Sequence, residues 1–394
     1  MVTLREIQAA GERIGPHVHR TPLIYSSSFS VMTGAEVFLK AENLQKTGSF
    51  KVRGAFNRIS RISGAQVAAA SMGNHAQGVA YAAARTGKHA TIVMPVAAPI
   101  VKQEATRGYG ADVVLRGEGF SEALDYALSL KDHVFIHAFD DDEVIAGQGT
   151  VGVEILEELP QADCILVPVG GGGLIAGIAA AAKELSPKTK VLGVQTRSAA
   201  AGYVSFRDKR ITEVAPEPTI ADGIAVGRMG DKPFQVVRRC VDDMVVVDED
   251  SIAMAILLFL ERKKLVVEGA GAVPLAALLS DRERYRGRRV VLVVSGGNID
   301  FTLIDRIIHK GLVTSGRIGV FEVIVDDAPG RLHALTGVIA SCKGNIVNVV
   351  HDRLGSDLPV VKTRVIFTVE IRGKGHLDEI ISGLAAAGFE AKER

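Results

Sequence analysis

Short runs of β-branched and small apolar residues alternate with helix-forming stretches over most of this chain, and that alternation limits the possible folds more than any other feature. Candidate strands are Val67–Ala70, Ala90–Met94, Asp112–Leu115, Val134–His137, Cys164–Val169, Lys190–Gln195 and Arg289–Val294. Helical stretches follow most of them: His75–Thr86, Phe120–Lys131, Glu143–Leu159, Ile175–Leu185 and Ser251–Lys264. Strand–helix–strand succession places strands parallel, joined by crossover helices, so the expected class is an α/β sheet. In such sheets ligands bind beyond the carboxyl ends of the strands, where loops lead into helix N-termini.

From about residue 318 the order changes. Ile318–Val325 is expected as a strand, Arg331–Cys342 as a helix, Asn345–His351 and Val361–Ile371 as strands, Leu377–Ala387 as a helix and Phe389–Ala391 as a short closing strand. This β-α-β-β-α-β order fits an α+β ferredoxin-like domain. His309–Arg317, with two glycines, is expected as the linker. At 394 residues the chain has room for two or three domains.

The net charge of +1 gives no sign of a nucleic-acid or membrane-surface partner. Cys164, Cys240 and Cys342 are scattered, odd in number and without metal-ligand spacing, which fits a reducing compartment. The charged, amphipathic N-terminus has no apolar signal core, so a cytoplasmic location is expected. Cys164–Ala182 is uncharged and about long enough to span a bilayer. Its Pro168 and its four successive glycines instead suggest a buried strand, a turn and a helix.

Four segments carry candidate chemistry. In Ser49-Phe50-Lys51-Val52-Arg53-Gly54-Ala55 a lysine stands where an extended segment becomes a helix. In an apolar site its amine can lose the proton and form a Schiff base; on a solvated helix start it would do nothing. Ser71-Met72-Gly73-Asn74-His75 follows a strand and offers hydroxyl, amide and backbone N–H groups that suit a carboxylate, or simply a capped helix start. Gly170-Gly171-Gly172-Gly173-Leu174 lets several N–H groups converge on one anion. It is neither a nucleotide-binding P-loop nor a dinucleotide fingerprint, so a compact monophosphate is the expected guest. Ser295-Gly296-Gly297-Asn298 places a hydroxyl at a strand end, where it can bond a ring nitrogen.

In this order the four segments resemble the fold-type II pyridoxal-phosphate enzymes, the tryptophan synthase β-like group, over residues 1–312. Within that group the chain is most similar to the threonine ammonia-lyases (threonine dehydratases) of the catabolic type. The resemblance implies two open twisted α/β domains, a large one formed by 1–63 and 146–312 and a small one by 64–145. It implies pyridoxal 5'-phosphate as cofactor, joined to Lys51, the catalytic residue. Phe50 would pack on the ring, Asn74 would contact its hydroxyl, Gly170, Gly171, Gly172, Gly173 and Leu174 would hold its phosphate, and Ser295 would face the pyridine nitrogen. Ser71, Gly73, Asn74 and His75 would bind the carboxylate of an amino-acid substrate. Gly147-Gln148-Gly149-Thr150 and Asp222-Gly223 also match family segments near the site.

Residues 318–394 resemble an ACT regulatory domain, on Asp327-Ala328-Pro329-Gly330-Arg331-Leu332. That implies an amino-acid effector, isoleucine or valine, and a homo-oligomer, dimer or tetramer. The implied reaction is α,β-elimination, from L-threonine to 2-oxobutanoate and ammonia, with L-serine to pyruvate as a secondary activity. The near alternatives are an L-serine ammonia-lyase or a serine racemase-like enzyme; the alternative of another class is a non-catalytic ACT amino-acid sensor. Racemases of the group carry a serine where this chain has Met72, which cannot donate a proton. Their metal site needs a glutamate and an aspartate where this chain has Gln195 and Ala201, so no metal is expected.

Overall fold

The computed structural model describes residues 1–355 and 357–394 and divides into two compact units, Met1–Asp300 and Phe301–Arg394. The first unit holds two sheets. The larger runs Leu23–Tyr25, Glu36–Ala41, Arg289–Val294, Cys164–Pro168, Lys190–Thr196, Asp243–Val247; only its first pair is antiparallel. The smaller is all parallel, in the order Asp112–Leu115, His89–Met94, Gln66–Ala70, Val134–Phe135.

Parallel strands covered on both faces read as continuous apolar runs. Cys164–Pro168 is buried throughout, and Arg289–Val294 is buried from its second residue on. The uncharged run from Cys164 is thus strand, glycine turn and helix Gly173–Leu185. Among the described residues no helix is long and apolar enough to cross a membrane. Three strands were not expected from the sequence: Leu23–Tyr25, Glu36–Ala41 and Asp243–Val247. The expected helix Ser251–Lys264 is α-helical over Glu249–Leu258, widens into a π turn over Phe259–Lys263 and ends at Lys264 with φ 57°.

Each sheet has its own core, and the helix Lys51–Ile59 lies at the seam between them. Phe50, just before it, packs against the core of the large sheet with Leu174, Val167 and Val293. Val52, Ala55 and Phe56, just after Lys51, pack into the core of the small sheet with Val67, Ala76 and Val79. Position 51 is therefore held from both sides.

The second unit is an antiparallel sheet in the order Asn345–Asp352, Lys362–Glu370, Ile318–Asp326, Ala391–Glu393. Its core is lined by Phe321, Val323, Val365, Phe367 and Val369, with Leu335, Ile339, Ile380 and Leu384 from the helices Arg331–Ser341 and Lys374–Ala386. This is the expected β-α-β-β-α-β order. The expected linker is largely helix: Phe301–Thr314 is continuous, with Ile304, Ile307 and Gly311 buried along one side. Gly311 within that helix disguised it in the sequence.

Candidate active site

Lys51 opens its helix directly after a short extended segment. Phe50 donates its N–H to Ser295 O (3.1 Å), Gly297 donates to Gly48 O (2.9 Å), and Ser49 bridges Gly296. The Lys51 backbone is thereby tied to the carboxyl end of Arg289–Val294, where the buried Ser295 stands. The Lys51 amine donates to Ala138 O (3.2 Å) and lies 5.3 Å from the centroid of the Phe50 ring. Burial pushes its pKa down to about 8, with the Glu268 carboxyl pulling the other way. A lysine so placed spends a fraction of its time as a neutral nucleophile near neutral pH.

The glycine turn is reached through the neighbour of Ala138. A side-chain carbon on Gly171 would lie 2.4 Å from the Phe139 ring, and one on Gly173 would lie 3.0 Å from Phe139 Cβ. Gly172 has φ +95°, and a side chain there would also meet Pro233 Cβ at 2.9 Å. Glycine is thus required by close approach at Gly171 and Gly173 and by conformation as well at Gly172. One residue pair, Ala138–Phe139, touches both the Lys51 amine and the turn, so the two lie on the same side of the molecule. The turn leads into Gly173–Leu185, whose first N–H groups and dipole favour an anion. Leu174 is buried in the core beneath it.

The third element is Ser71–His75. Gly73 N–H donates to Ser71 Oγ (3.2 Å), and no atom lies within 4 Å of where a Gly73 side chain would begin. Gly78 brings the helix Asn74–Arg85 against the backbone at Lys51 and Val52, at 3.1–3.3 Å from its would-be side chain. The His75 imidazole is committed to Ile136 O (2.8 Å), and burial, aided by the Lys51 charge, drives its pKa down to about 3. It is a neutral, packed ring held through Nε2. Met72 is half-buried against the small-sheet core.

Asn74 reveals a residue that sequence inspection overlooked. Its Nδ2 donates to both Glu268 oxygens (2.9 Å each), and its Oδ1 accepts from Asn298 Nδ2 (2.7 Å). Asn298 also donates to Thr47 O (2.9 Å). Burial raises the Glu268 pKa to about 7, against the opposing pull of Asn74 and Lys51. The signal was present in the sequence: Glu268 is the single charge between Lys264 and Asp281.

Of the two other sequence segments, the first lies behind the site and the second reaches Glu268 at its edge. Gly147–Thr150 packs behind the Lys51 helix: a Gly147 side chain would strike Arg53 O at 2.6 Å, and Thr150 Oγ1 accepts from Arg53 (3.1 Å). Arg53 is fully buried and paired with Glu42 (2.8 Å) and Glu154 (2.6 Å), and Lys40 joins Glu154 (2.6 Å). Breaking such a pair costs about 3–5 kcal/mol, so this cluster fixes the helix from below. Asp222 is paired with Lys102 at the surface (3.2 Å), while Gly223 lies near Glu268.

An amine of lowered pKa beside a glycine-lined anion cradle and a strand-end hydroxyl fits pyridoxal phosphate. The sequence comparisons agree. A family model described as pyridoxal-phosphate dependent enzyme matches residues 14–296. The chain is 48% identical over 399 residues to the L-threonine ammonia-lyase of Thermotoga maritima, covering 100% of this chain and 99% of that one. Among solved structures, the processed form of threonine deaminase isoform 2 from Solanum lycopersicum is similar at TM-score 0.75 and 37% identity, covering 78% of this chain and 91% of that one. A maize serine racemase is similar at TM-score 0.74 and 36% identity, covering 79% and 98%. With the lysine, the glycine cradle and the sheet order all in place, the chain belongs to the fold-type II pyridoxal-phosphate-dependent enzymes.

Proposed function

We propose that this enzyme is a threonine ammonia-lyase, converting L-threonine to 2-oxobutanoate and ammonia and, as a secondary activity, L-serine to pyruvate. The observation that carries the proposal is the shared contact of Ala138–Phe139 with the Lys51 amine and the glycine turn. It is supported by similarity to L-threonine ammonia-lyase along the whole chain.

Bound pyridoxal phosphate supplies the electron sink that stabilises negative charge at the substrate Cα. Lys51 would carry the cofactor, and its buried Nζ, of lowered pKa, would take the proton from the substrate Cα. The N–H groups of Gly170–Gly173 and the helix dipole behind them would hold the phosphate. The turn Ser71–His75 would hold the substrate carboxylate, Phe50 would pack on the ring and Asn74 would contact its hydroxyl. Ser295 would offer an uncharged hydroxyl to the pyridine nitrogen, a partner that does not enforce its protonation. Water is lost from Cα and Cβ, one water is regained on hydrolysis, and ammonia leaves.

In the same proposal, 1–63 with 146–312 forms the large catalytic domain, 64–145 the small one and 318–394 an ACT domain that senses isoleucine or valine in a homo-oligomer. In that domain the turn before the helix Arg331–Ser341 is held by Arg331–Asp326 (3.2 Å) and Arg353–Asp327 (3.0 Å), with Gly330 at φ +88°.

A keto-acid assay with L-threonine, L-serine and their D-isomers, with and without isoleucine, tests the proposal. Fastest turnover of L-threonine, altered by isoleucine, is expected; absence of keto acid from both L-substrates would refute it. The racemase alternative has a similar solved structure in its favour, but Met72 offers no proton on the face opposite Lys51. Formation of D-serine from L-serine would revive it.

A further inference from the structure

We propose that Gln195 is a positioning residue for the cofactor phosphate: its side-chain amide aims the first N–H of the glycine turn. Gln195 lies within the strand Lys190–Thr196 and is completely buried. A buried amide without partners costs about 1–3 kcal/mol, so both of its ends need a bond. Nε2 donates to Val169 O at 3.0 Å, and Oε1 accepts from Tyr203 N–H at 2.7 Å. Tyr203 is in the first turn of Ala201–Asp208, where N–H groups have no partner within the helix.

The carbonyl of Val169 and the N–H of Gly170 belong to one peptide group. That group is planar and trans, so its C=O and N–H point in opposite directions. Fixing the Val169 oxygen therefore fixes the direction of the Gly170 N–H, the first donor of the turn. Val169 N–H, which belongs to the preceding peptide, is bonded to Val194 O (2.9 Å), so the strand side is anchored and the Val169 oxygen is the handle on the next peptide.

The surroundings close a ring around that handle. A side chain on Gly202 would stand 3.1–3.2 Å from the Gln195 amide and 2.8 Å from Met229 Cε. Met229 in turn lies 3.2–3.4 Å from where a Gly172 side chain would begin, and Gly230 N–H donates to Gly171 O (3.0 Å). Strand end, turn, Met229–Gly230 and the helix start at Tyr203 thus brace one another through the Gln195 amide. Only an amide of this length supplies a donor to Val169 and an acceptor to Tyr203. A glutamate would set a carboxylate against the Val169 carbonyl, and a methionine would leave both backbone groups unpaired.

The inference rests on the proposal that the glycine turn holds the phosphate, and one experiment separates the two. The full-length protein is stripped of cofactor and titrated with pyridoxal phosphate and with pyridoxal, which lacks the phosphate. Binding is followed by absorbance, and melting of each protein shows that it is folded. Wild type is expected to prefer pyridoxal phosphate strongly. Gln195→Glu is expected to weaken pyridoxal phosphate about tenfold, on the scale of one lost hydrogen bond, with pyridoxal unchanged. Gln195→Met is expected to behave likewise and serves if the charged variant does not fold. No preference in wild type would refute the role of the glycine turn and the clamp with it. A wild-type preference that both variants retain, or equal loss of both ligands, would overturn the role of Gln195 alone.

Discussion

At Lys51 and Glu268 burial works on two opposite charges, and the two leave distinct marks on stability. The Glu268 pKa is raised from 4.5 to about 7, so between those values the folded protein binds more protons than the unfolded chain and stability falls as pH rises. The Lys51 pKa is lowered from 10.5 to about 8, so between about 8 and 10.5 the unfolded chain binds more protons and stability rises with pH. Each limb is on the order of a few kcal/mol. The buried His75, its pKa lowered from 6.5 to about 3, gives a slope of the opposite sign below pH 6.5, so the Glu268 contribution is read as the difference between wild type and Glu268→Gln. In urea unfolding of the cofactor-free proteins, the stability of wild type relative to Glu268→Gln is expected to fall as pH rises from 4.5 to 7. A difference that stays constant over that range would contradict the buried ionisation of Glu268. Single residues also explain what the sequence concealed. Lys40 is fully buried and paired with Glu154, so its charge made the strand Glu36–Ala41 look like surface. Glu268 stood alone among apolar residues, and only the fold brings Asn74 to it.

Among the elements, the glycine turn carries the sharpest steric demand. A methyl group on Gly171 would sit 2.4 Å from the Phe139 ring, so Gly171→Ala must displace the residue that links the turn to Lys51. Overpacking of this kind costs about 1–3 kcal/mol. Gly171→Ala is expected to lower stability by that amount and to weaken pyridoxal phosphate binding at least tenfold; unchanged binding would remove the turn from the site. The buried central strands were legible because each is a nearly continuous apolar run of the length a strand needs. Leu23–Tyr25 was missed because it has only three residues. Asp243–Val247, at the sheet edge, is only half-buried along much of its length. The order of the motif segments was legible from chain position alone. The route between them, through Ala138, Phe139 and Glu268, was not, because it is made by residues distant in sequence.

For the whole molecule, the two compact units keep separate cores, so packing lost from one core is expected to show first within its own unit. Phe367 is fully buried and stacks on Phe321 with ring centroids 5.5 Å apart. Phe367→Ala is expected to cost about 3–5 kcal/mol. Hydrogen exchange should then show lost protection over residues 318–394, while strands such as Cys164–Pro168 and Arg289–Val294 stay protected; equal loss in both units would refute their independence. The account turns most on which amine bears the cofactor. Borohydride reduction of the loaded enzyme, followed by proteolysis and mass spectrometry, is expected to place the pyridoxyl label on Lys51 alone. A label on any other lysine, or none with the enzyme fully active, would contradict it.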